Sequence, residues 1–224
     1  MFKFFKKKRI SQSKINKIYS SHLYTGFSGF LMRYCHKQLE KKLPPGRYKK
    51  ILEIGAGSEP HYKYLKDKNC EYFILEKNPR KIKIKNKNIK YIYYSGEKIK
   101  YKKNTFDRII ISHTLEHIPF PEKFLKYIKT FLKKNGVLSI SLPTDPGLLW
   151  RLGRYYNKMF TIKKTLKINN LDYDYMNAIE HINSIYNLIS IIKYNFKNKL
   201  IEDYLPFKLK SADTNLFYNV HIFK

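Results

Sequence analysis

Two histidines of the sequence lie where a proton acceptor could serve a reaction. His117 ends the segment HTLEH, residues 113–117, directly after an apolar run, and His181 follows Glu180 in a polar stretch. Neutral imidazole takes up a proton near neutral pH, so either ring can act as a general base. His117 also has a structural alternative, because a hydrogen bond from its ring can hold the start of the following helix.

The acidic residues, histidines and cysteines do not follow one another at the intervals typical of a metal site. The two cysteines, Cys35 and Cys70, form no Cys-x-x-Cys pair, which argues against a zinc ligand set and against a disulfide framework. The sequence therefore predicts chemistry without a metal ion.

A glycine loop follows a short apolar strand in the stretch ILEIGAGSEPH, residues 51–61. Gly55 and Gly57 have no Cβ, so the backbone can turn sharply there and approach a ligand closely. A dinucleotide site needs Gly-x-Gly-x-x-Gly, but its last position holds Pro60, which has no N–H, and Glu59 would repel a phosphate. The remaining candidate is an adenosine cofactor without phosphates, S-adenosylmethionine, whose positive sulfur is compatible with nearby carboxylates.

Glu76 ends the next apolar run, EYFILE, 19 residues after Gly57. An acid at about this interval after a glycine loop can accept hydrogen bonds from both ribose hydroxyls of an adenosine cofactor. The alternative for an acid at a strand end is a solvated surface charge, but the interval favours the cofactor role.

The glycine loop and its strand resemble the first motif of class I S-adenosylmethionine-dependent methyltransferases, which reads hydrophobic, acidic, hydrophobic, Gly-x-Gly-x-Gly. Glu53, Gly55 and Gly57 match this motif, and Glu59 departs from it at the last glycine. The resemblance implies that Gly55, Ala56 and Gly57 contact the cofactor. Glu53 either binds the cofactor directly or orients the loop through backbone N–H groups, and we favour the second role.

The resemblance continues after the third and fourth predicted strands and covers roughly residues 50–143. The family's acid that faces the adenine amino group is replaced by Ser95, so adenine recognition would rely on Ser95 and on backbone groups of Gly96 and Glu97. In the family, a His-x-Leu-Glu-His segment after the fourth strand lies beneath the cofactor. That segment is HTLEH here, and the resemblance implies that His113 contacts the cofactor.

Strands and helices alternate from residue 50 onward, and this alternation predicts an α/β domain with a doubly wound, seven-stranded, mostly parallel sheet. In such a sheet the loops at the carboxyl ends of the strands form the ligand crevice. The glycine loop, Glu76 and the HTLEH segment should therefore lie at one edge. We predict strands at 51–54, 71–76, 89–94, 106–112, 137–143, 200–205 and 216–223.

The clearest predicted helix spans residues 121–136, where apolar side chains recur at helical spacing and Asn135-Gly136 supplies a left-handed stop. A second helix is predicted near residues 182–194. Residues 1–46 are predicted to form a helical N-terminal extension, which ends at the LPPG stretch, ahead of the cofactor-binding domain at 47–224. Gly26 and Gly29 should divide this extension into two helices.

The segment 144–180 is too long for a simple connection between a strand and a helix, so we predict that it forms a substrate lid. Arg151 and Arg154 lie three residues apart, would share a helix face and could hold a carboxylate or phosphate of the acceptor. The alternative is a solvated amphipathic helix with Leu149 and Trp150 turned inward.

The formal net charge of +29 would suit a nucleic-acid partner. The lysines are accompanied by many Ile, Asn, Tyr and Phe residues, however, and these five residue types share A/T-rich codons. A biased genome can therefore produce this charge without selection for an anionic partner. The densest basic stretch, residues 77–103, is the best candidate for contact with a polyanion or a membrane surface.

These features predict an S-adenosylmethionine-dependent methyltransferase that acts on an oxygen or nitrogen nucleophile of a small molecule or glycan precursor. No apolar run approaches the roughly 20 residues of a transmembrane helix, and no secretory signal is visible, so we expect a cytoplasmic protein. Two alternatives remain open at this point. The charge favours an RNA methyltransferase, and the departures at Glu59 and Ser95 suit a non-catalytic cofactor-binding scaffold.

Overall fold

The structure is a computed structural model of the 224-residue chain. It describes residues 25–57, 59–76, 86–93, 99–160, 169–197 and 199–224. The strands are β1 Lys50–Ile54, β2 Glu71–Glu76, β3 Ile89–Tyr93, β4 Phe106–Ser112, β5 Leu132–Pro143, β6 Leu200–Leu205 and β7 Phe217–Phe223. The helices are α1 Gly26–Lys41, α2 Pro121–Lys129, α3 Leu148–Phe160, α4 Asn170–Glu180 and α5 Ile185–Phe196.

All seven strands form one sheet in the order β3-β2-β1-β4-β5-β7-β6, which confirms the predicted fold class. Strands β1 to β5 pair in parallel, and β7 runs antiparallel to both of its neighbours. The strand order reverses between β1 and β4. A doubly wound sheet binds its ligand at this switch point, beyond the carboxyl ends of the strands.

Both faces of the sheet are buried, because successive strand residues point to opposite sides and both sides are covered. Ile109 and Ile111 lie in a core cluster with residues of α2 and α5. Ile110 points the other way, into a cluster that includes Leu39 of α1. Among the helices that the structure describes, none is both long and apolar enough to span a bilayer; the cytoplasmic location stays a prediction.

A buried ion pair joins α1 to the sheet. Arg108 of β4 donates from Nη1 to Oε2 of Glu40 at 2.6 Å, and the His61 ring lies 3.2 Å from the same oxygen. Burial acts to raise the pKa of Glu40, but the hydrogen bond from His61 and the charge of Arg108 lower it to about 2. The last turn of α1 is therefore held against the sheet centre.

The predicted helix at 121–136 is too long, because α2 ends at Lys129. Beyond that residue the backbone pairs with the start of β4, where Phe106 donates its N–H to the carbonyl of Phe131 at 2.9 Å. The apolar residues after the helix fit a buried strand as well as a helix, which is why their spacing misled the prediction. Asn135 does adopt a left-handed conformation, with φ 68°, but it does so inside the irregular first part of β5.

The prediction that Gly26 and Gly29 divide the N-terminal region into two helices is wrong for Gly29. Helix α1 begins at Gly26 and runs through Gly29, which is buried and donates its N–H to the carbonyl of Thr25. The helix ends before the LPPG stretch, as predicted. Residues 1–24 lie outside the described part of the chain, and the boundaries at 46 and at 144–180 stay predictions.

Candidate active site

The glycine loop after β1 adopts a backbone that favours glycine. Gly55 has φ +72° and Gly57 has φ +58°. A Cβ on Gly55 would lie 2.3 Å from Oγ1 of Thr114, far inside contact distance. The Thr114 hydroxyl is 3.2 Å from the carbonyl oxygen of Gly55, to which it can donate, so the loops after β1 and β4 are joined at this point.

Glu76 lies beside this loop, at the end of β2. Gly57 donates its N–H to Oε2 of Glu76 at 2.9 Å, and the Glu76 side chain is partly exposed. The structure therefore brings together two of the residues predicted to bind the cofactor. This geometry can hold a pair of neighbouring hydroxyl groups.

Glu53 is buried beneath the loop and is 1% exposed. Its carboxylate accepts hydrogen bonds from the backbone N–H of His61 at 2.9 Å and from the Tyr72 hydroxyl at 2.7 Å. Burial raises the pKa of Glu53 to about 7, although both hydrogen bonds act to lower it. The carboxylate thus orients the far end of the loop, where the chain enters a 3-10 turn. Ala56 is also buried and joins the core under the loop.

Glu59, which replaces the last glycine of the motif, has its own partners. Its carboxylate pairs with Lys63 at 2.6 Å and accepts a hydrogen bond from the Tyr64 hydroxyl at 2.9 Å. The Tyr64 ring stacks on His36 of α1 at 4.8 Å between ring centroids. The acid therefore fastens the loop to the 3-10 turn, a role that the sequence motif alone does not reveal.

His113 follows β4 directly and has φ +49°. The backbone N–H of His113 donates to the carbonyl of Ser141. The ring nitrogen Nε2 is buried and has no hydrogen-bond partner among the described residues. Burial lowers the pKa of His113 to about 3, so the ring is neutral near physiological pH. A buried nitrogen without a partner at the ligand end of the sheet fits a bound molecule that would complete its hydrogen bonding.

The three residues predicted to recognise the adenine, Ser95, Gly96 and Glu97, lie outside the described residues. The strand that leads to them, β3, ends with Tyr93 in register with Glu76. Their role stays a prediction.

The two candidate bases meet in the structure although they are far apart in the sequence. His117 lies in a 3-10 turn after β4, and His181 lies between α4 and α5, with 5.1 Å between their ring centroids. Glu116 joins them, and one ligand-capable atom from each of the three residues lies within 4.8 Å of the others. Two loops of the crevice edge thus meet in one polar cluster.

Each ring of the cluster is oriented through Nδ1. The Nδ1 of His117 is hydrogen-bonded to the backbone carbonyl of Glu180, and the Nδ1 of His181 lies 2.6 Å from Oδ2 of Asp145. Both partners are acceptors, so each Nδ1 carries a proton. His117 therefore fastens the end of α4 and does not hold the start of α2, whose first turn has no side-chain cap.

Asp145 and Asn183 also belong to this cluster, although neither was predicted to lie at the site. Asp145 lies two residues after the end of β5, and this position near the strand end is the signal that could have identified it. Asn183 donates from Nδ2 to the carbonyl of Ile118 at 2.7 Å and holds the 3-10 turn of His117 against the connection between α4 and α5. Nothing in the sequence around Asn183 predicts that contact.

The two arginines predicted to bind substrate lie on α3 in different surroundings. Arg154 forms an ion pair with Asp145, whereas Arg151 is exposed. The Trp150 ring packs near His181, with 6.4 Å between ring centroids, and near Phe217 at 6.2 Å. The substrate-binding role of the arginines stays a prediction.

Comparison with known proteins identifies relatives of this fold. A family model described as a methyltransferase domain matches residues 26–194. A possible histamine N-methyltransferase from Thermotoga maritima is 17% identical, with a TM-score of 0.61 over 96% of this chain and 100% of the other. No curated protein sequence matches the chain.

Two further solved structures have the same fold. A methyltransferase from Aquifex aeolicus is 15% identical, with a TM-score of 0.57 over 96% of this chain and 99% of the other. The plantazolicin methyltransferase BpumL, solved with S-adenosylhomocysteine, is 14% identical, with a TM-score of 0.60 over 95% and 89%. Because the family model spans well over half of the chain, the protein belongs to the methyltransferase-domain family, as a class I S-adenosylmethionine-dependent methyltransferase.

Proposed function

We propose that the protein transfers a methyl group to an oxygen or nitrogen nucleophile of a small molecule or glycan precursor. The observation that carries this proposal is the pairing of His181 with Asp145 at the edge of the crevice, 2.6 Å apart. A ring that is oriented by a carboxylate can take a proton from an acceptor, and oxygen and nitrogen nucleophiles carry such a proton.

Four residues of the crevice fit the cofactor. Glu76 would hold the ribose hydroxyls, and Gly55 and Gly57 would let the backbone approach. Nε2 of His113, which has no partner in the described part of the chain, would gain a hydrogen bond. S-Adenosylmethionine, when bound, supplies a methyl group on a positively charged sulfur. The task left to the protein is to align the acceptor and remove its proton.

Proton removal is assigned to Nε2 of His181. Its Nδ1 proton is held by Asp145, so Nε2 presents its lone pair, and the Asp145 carboxylate stabilises the imidazolium that forms. Arg154 fixes the same carboxylate through its ion pair. His117 lies against His181 and would limit its ring motion.

The acceptor class is inferred from the helices beside this cluster. Helix α3 buries none of its residues, and one side of it exposes Leu148, Leu152, Tyr155, Tyr156 and Met159. Trp150, on the opposite side of this helix, packs near His181, and an aromatic ring beside a polar reaction centre suits a compact organic acceptor. Two of the similar structures are named as a possible histamine N-methyltransferase and as the plantazolicin methyltransferase.

The net charge of +29 favours a second candidate, an RNA acceptor. A small-molecule enzyme and an RNA enzyme would use the same cofactor crevice and would differ only in the methyl acceptor that enters it. Sensitivity to ribonuclease therefore separates them.

The test is transfer of labelled methyl groups from S-adenosylmethionine to an extract of the source cells. We expect label in the small-molecule fraction, unchanged after ribonuclease treatment and strongly reduced with His181→Gln. Label that disappears with ribonuclease would instead establish the RNA acceptor. A chain that binds S-adenosylhomocysteine but transfers no methyl group to any fraction would contradict the proposal and indicate a scaffold.

A further inference from the structure

We propose that Glu116, His117 and His181 bind one divalent transition-metal ion, a site that the sequence spacing did not predict. This inference deepens the proposed function and rests on it for the role of the ion. The three residues supply two imidazoles and one carboxylate, and ligand-capable atoms of the three lie within 4.8 Å of one another. Nε2 of His117 lies 3.7 Å from Oε1 of Glu116.

The hydrogen bonds of the two rings match those of metal-bound histidines. A histidine ligand usually donates its second ring N–H to a carboxylate or a backbone carbonyl, which fixes the tautomer and directs the other nitrogen at the ion. Here Nδ1 of His181 is bonded to the Asp145 carboxylate and Nδ1 of His117 to the Glu180 carbonyl. Both Nε2 atoms are therefore the nitrogens with a lone pair to offer.

An independent observation comes from Glu116. Its side chain is 4% exposed, and Oε2 is buried without a hydrogen-bond partner among the described residues. Burial of a carboxylate oxygen without a hydrogen-bond donor costs free energy, because the oxygen loses its hydration. A bound cation would offset that cost. The backbone carbonyl of Glu116 accepts hydrogen bonds from Asn183, which fixes the turn that presents the side chain.

The charges around the rings also favour a dication. Glu116, Asp145 and Glu180 contribute three carboxylates, and Arg154 pairs with one of them. With neutral imidazoles, these four charged groups leave an excess of negative charge. A divalent ion would offset this excess.

The ligand types indicate the kind of ion. Imidazole suits zinc, iron, nickel and other first-row transition metals, whereas magnesium and calcium prefer oxygen ligands throughout. Three protein ligands leave a further coordination position, as in catalytic zinc sites with two histidines and one glutamate. An acceptor hydroxyl or amine bound there would lose its proton to solvent more readily, which would replace the direct action of His181 as a base.

Co²⁺ is a suitable probe, because tetrahedral Co²⁺ with imidazole ligands absorbs visible light. The full chain, without a histidine tag and freed of metal, is titrated with Co²⁺ while visible absorption and heat are recorded. We expect saturation at about one ion per chain, because the three ligands form a single site. Glu116→Gln and His181→Gln should each weaken binding at least tenfold, while the exposed Glu122→Gln serves as the matched control and should bind as the wild type does.

Binding that is absent in the wild type, or that persists in both ligand variants, would overturn the metal site. S-Adenosylhomocysteine binding is measured on the same samples and should be retained in both variants, which excludes misfolding as the cause. Full methyl transfer by the metal-free chain would overturn the role of the ion while leaving the proposed function intact. Loss of S-adenosylhomocysteine binding by the wild type would count against the proposed function itself.

Discussion

Gly55 and Thr114 determine how closely the two central loops approach each other. Gly55 has φ +72°, and a Cβ there would meet the Thr114 side chain at 2.3 Å. We predict that Gly55→Ala lowers the free energy of unfolding by about 2 kcal/mol or more, because a left-handed alanine is strained and the clash adds to this. Urea unfolding and S-adenosylhomocysteine calorimetry should both detect the change.

Gly153 is the matched control. It lies in α3, and no atom is within 4 Å of the position of an added Cβ. Gly153→Ala should therefore leave the stability unchanged or raise it by up to about 1 kcal/mol. Equal stability and equal affinity of the Gly55→Ala chain and the wild type would refute the assigned role of this contact.

Single residues also show what the sequence can and cannot reveal about a site. The glycine loop and Glu76 are predictable because the residues of one motif lie on neighbouring strands at fixed intervals. The link from His181 to Asp145 joins residues 36 positions apart. That contact depends on where α4 ends and α5 begins, and the spacing of residues in the sequence does not predict it.

At the level of elements, a buried ion pair fixes the last turn of α1 to the sheet. Arg108 and Glu40 are both buried, and Nη2 of Arg108 has no hydrogen-bond partner among the described residues. We predict that Arg108→Met lowers the free energy of unfolding by about 3–5 kcal/mol, because it leaves the Glu40 carboxylate buried without its cation. The double variant Arg108→Met/Glu40→Leu should be less destabilised than the single one.

The exposed pair Lys133–Asp107 provides the comparison for this prediction. Its lysine side chain is 44% exposed, so Lys133→Met should cost at most about 1 kcal/mol. Chemical denaturation of the four chains measures all of these differences. A cost for Arg108→Met as small as that for Lys133→Met would show that the buried pair does not anchor α1.

The strands were easier to predict than the ends of the helices. The bounds of β2, β4 and β6 agree with the prediction, because each is a short segment with several apolar side chains between polar or turn-forming residues. The end of α2 was not predictable from periodicity, since the residues after Lys129 bury their side chains equally well in the strand that follows. Hydrogen bonds to β4 favour the strand over a continued helix. These bonds join segments that meet only in the folded chain, so the local sequence does not predict them.

Over the whole molecule, buried histidines couple stability to pH. Burial lowers the pKa of His36, His61, His113 and His221 below the ordinary value of 6.5, to about 3 for the last two. Below pH 6.5 the unfolded chain therefore binds more protons than the folded one, and stability falls as the pH is lowered. Glu53, whose pKa is raised to about 7, acts in the opposite direction but is a single group.

We predict that the urea midpoint falls steadily from about pH 8 to about pH 5, and that His221 alone accounts for about 2 kcal/mol of this loss. Burial and the nearby charge of Arg108 lower the pKa of His221 and keep its ring neutral, although the hydrogen bond from Nε2 to the Leu39 carbonyl acts to raise that pKa. In this neutral form Nδ1 accepts from the Ser139 hydroxyl, whose oxygen accepts from Nε of Arg108. His221→Gln should be less stable at pH 8 but show a shallower pH dependence. Stability that rises on acidification would contradict this account.

The central claim is that the crevice at the ends of β1 and β2 binds the sugar of S-adenosylmethionine through Glu76. Calorimetry with S-adenosylhomocysteine tests it most directly, with Glu71→Ala, at the exposed opposite end of β2, as the matched control. We predict that the wild type and Glu71→Ala bind equally, whereas Glu76→Ala loses about 1–3 kcal/mol, a factor of roughly 5 to more than 100 in affinity. Unchanged affinity of Glu76→Ala, or a wild-type chain that does not bind the ligand, would contradict the claim.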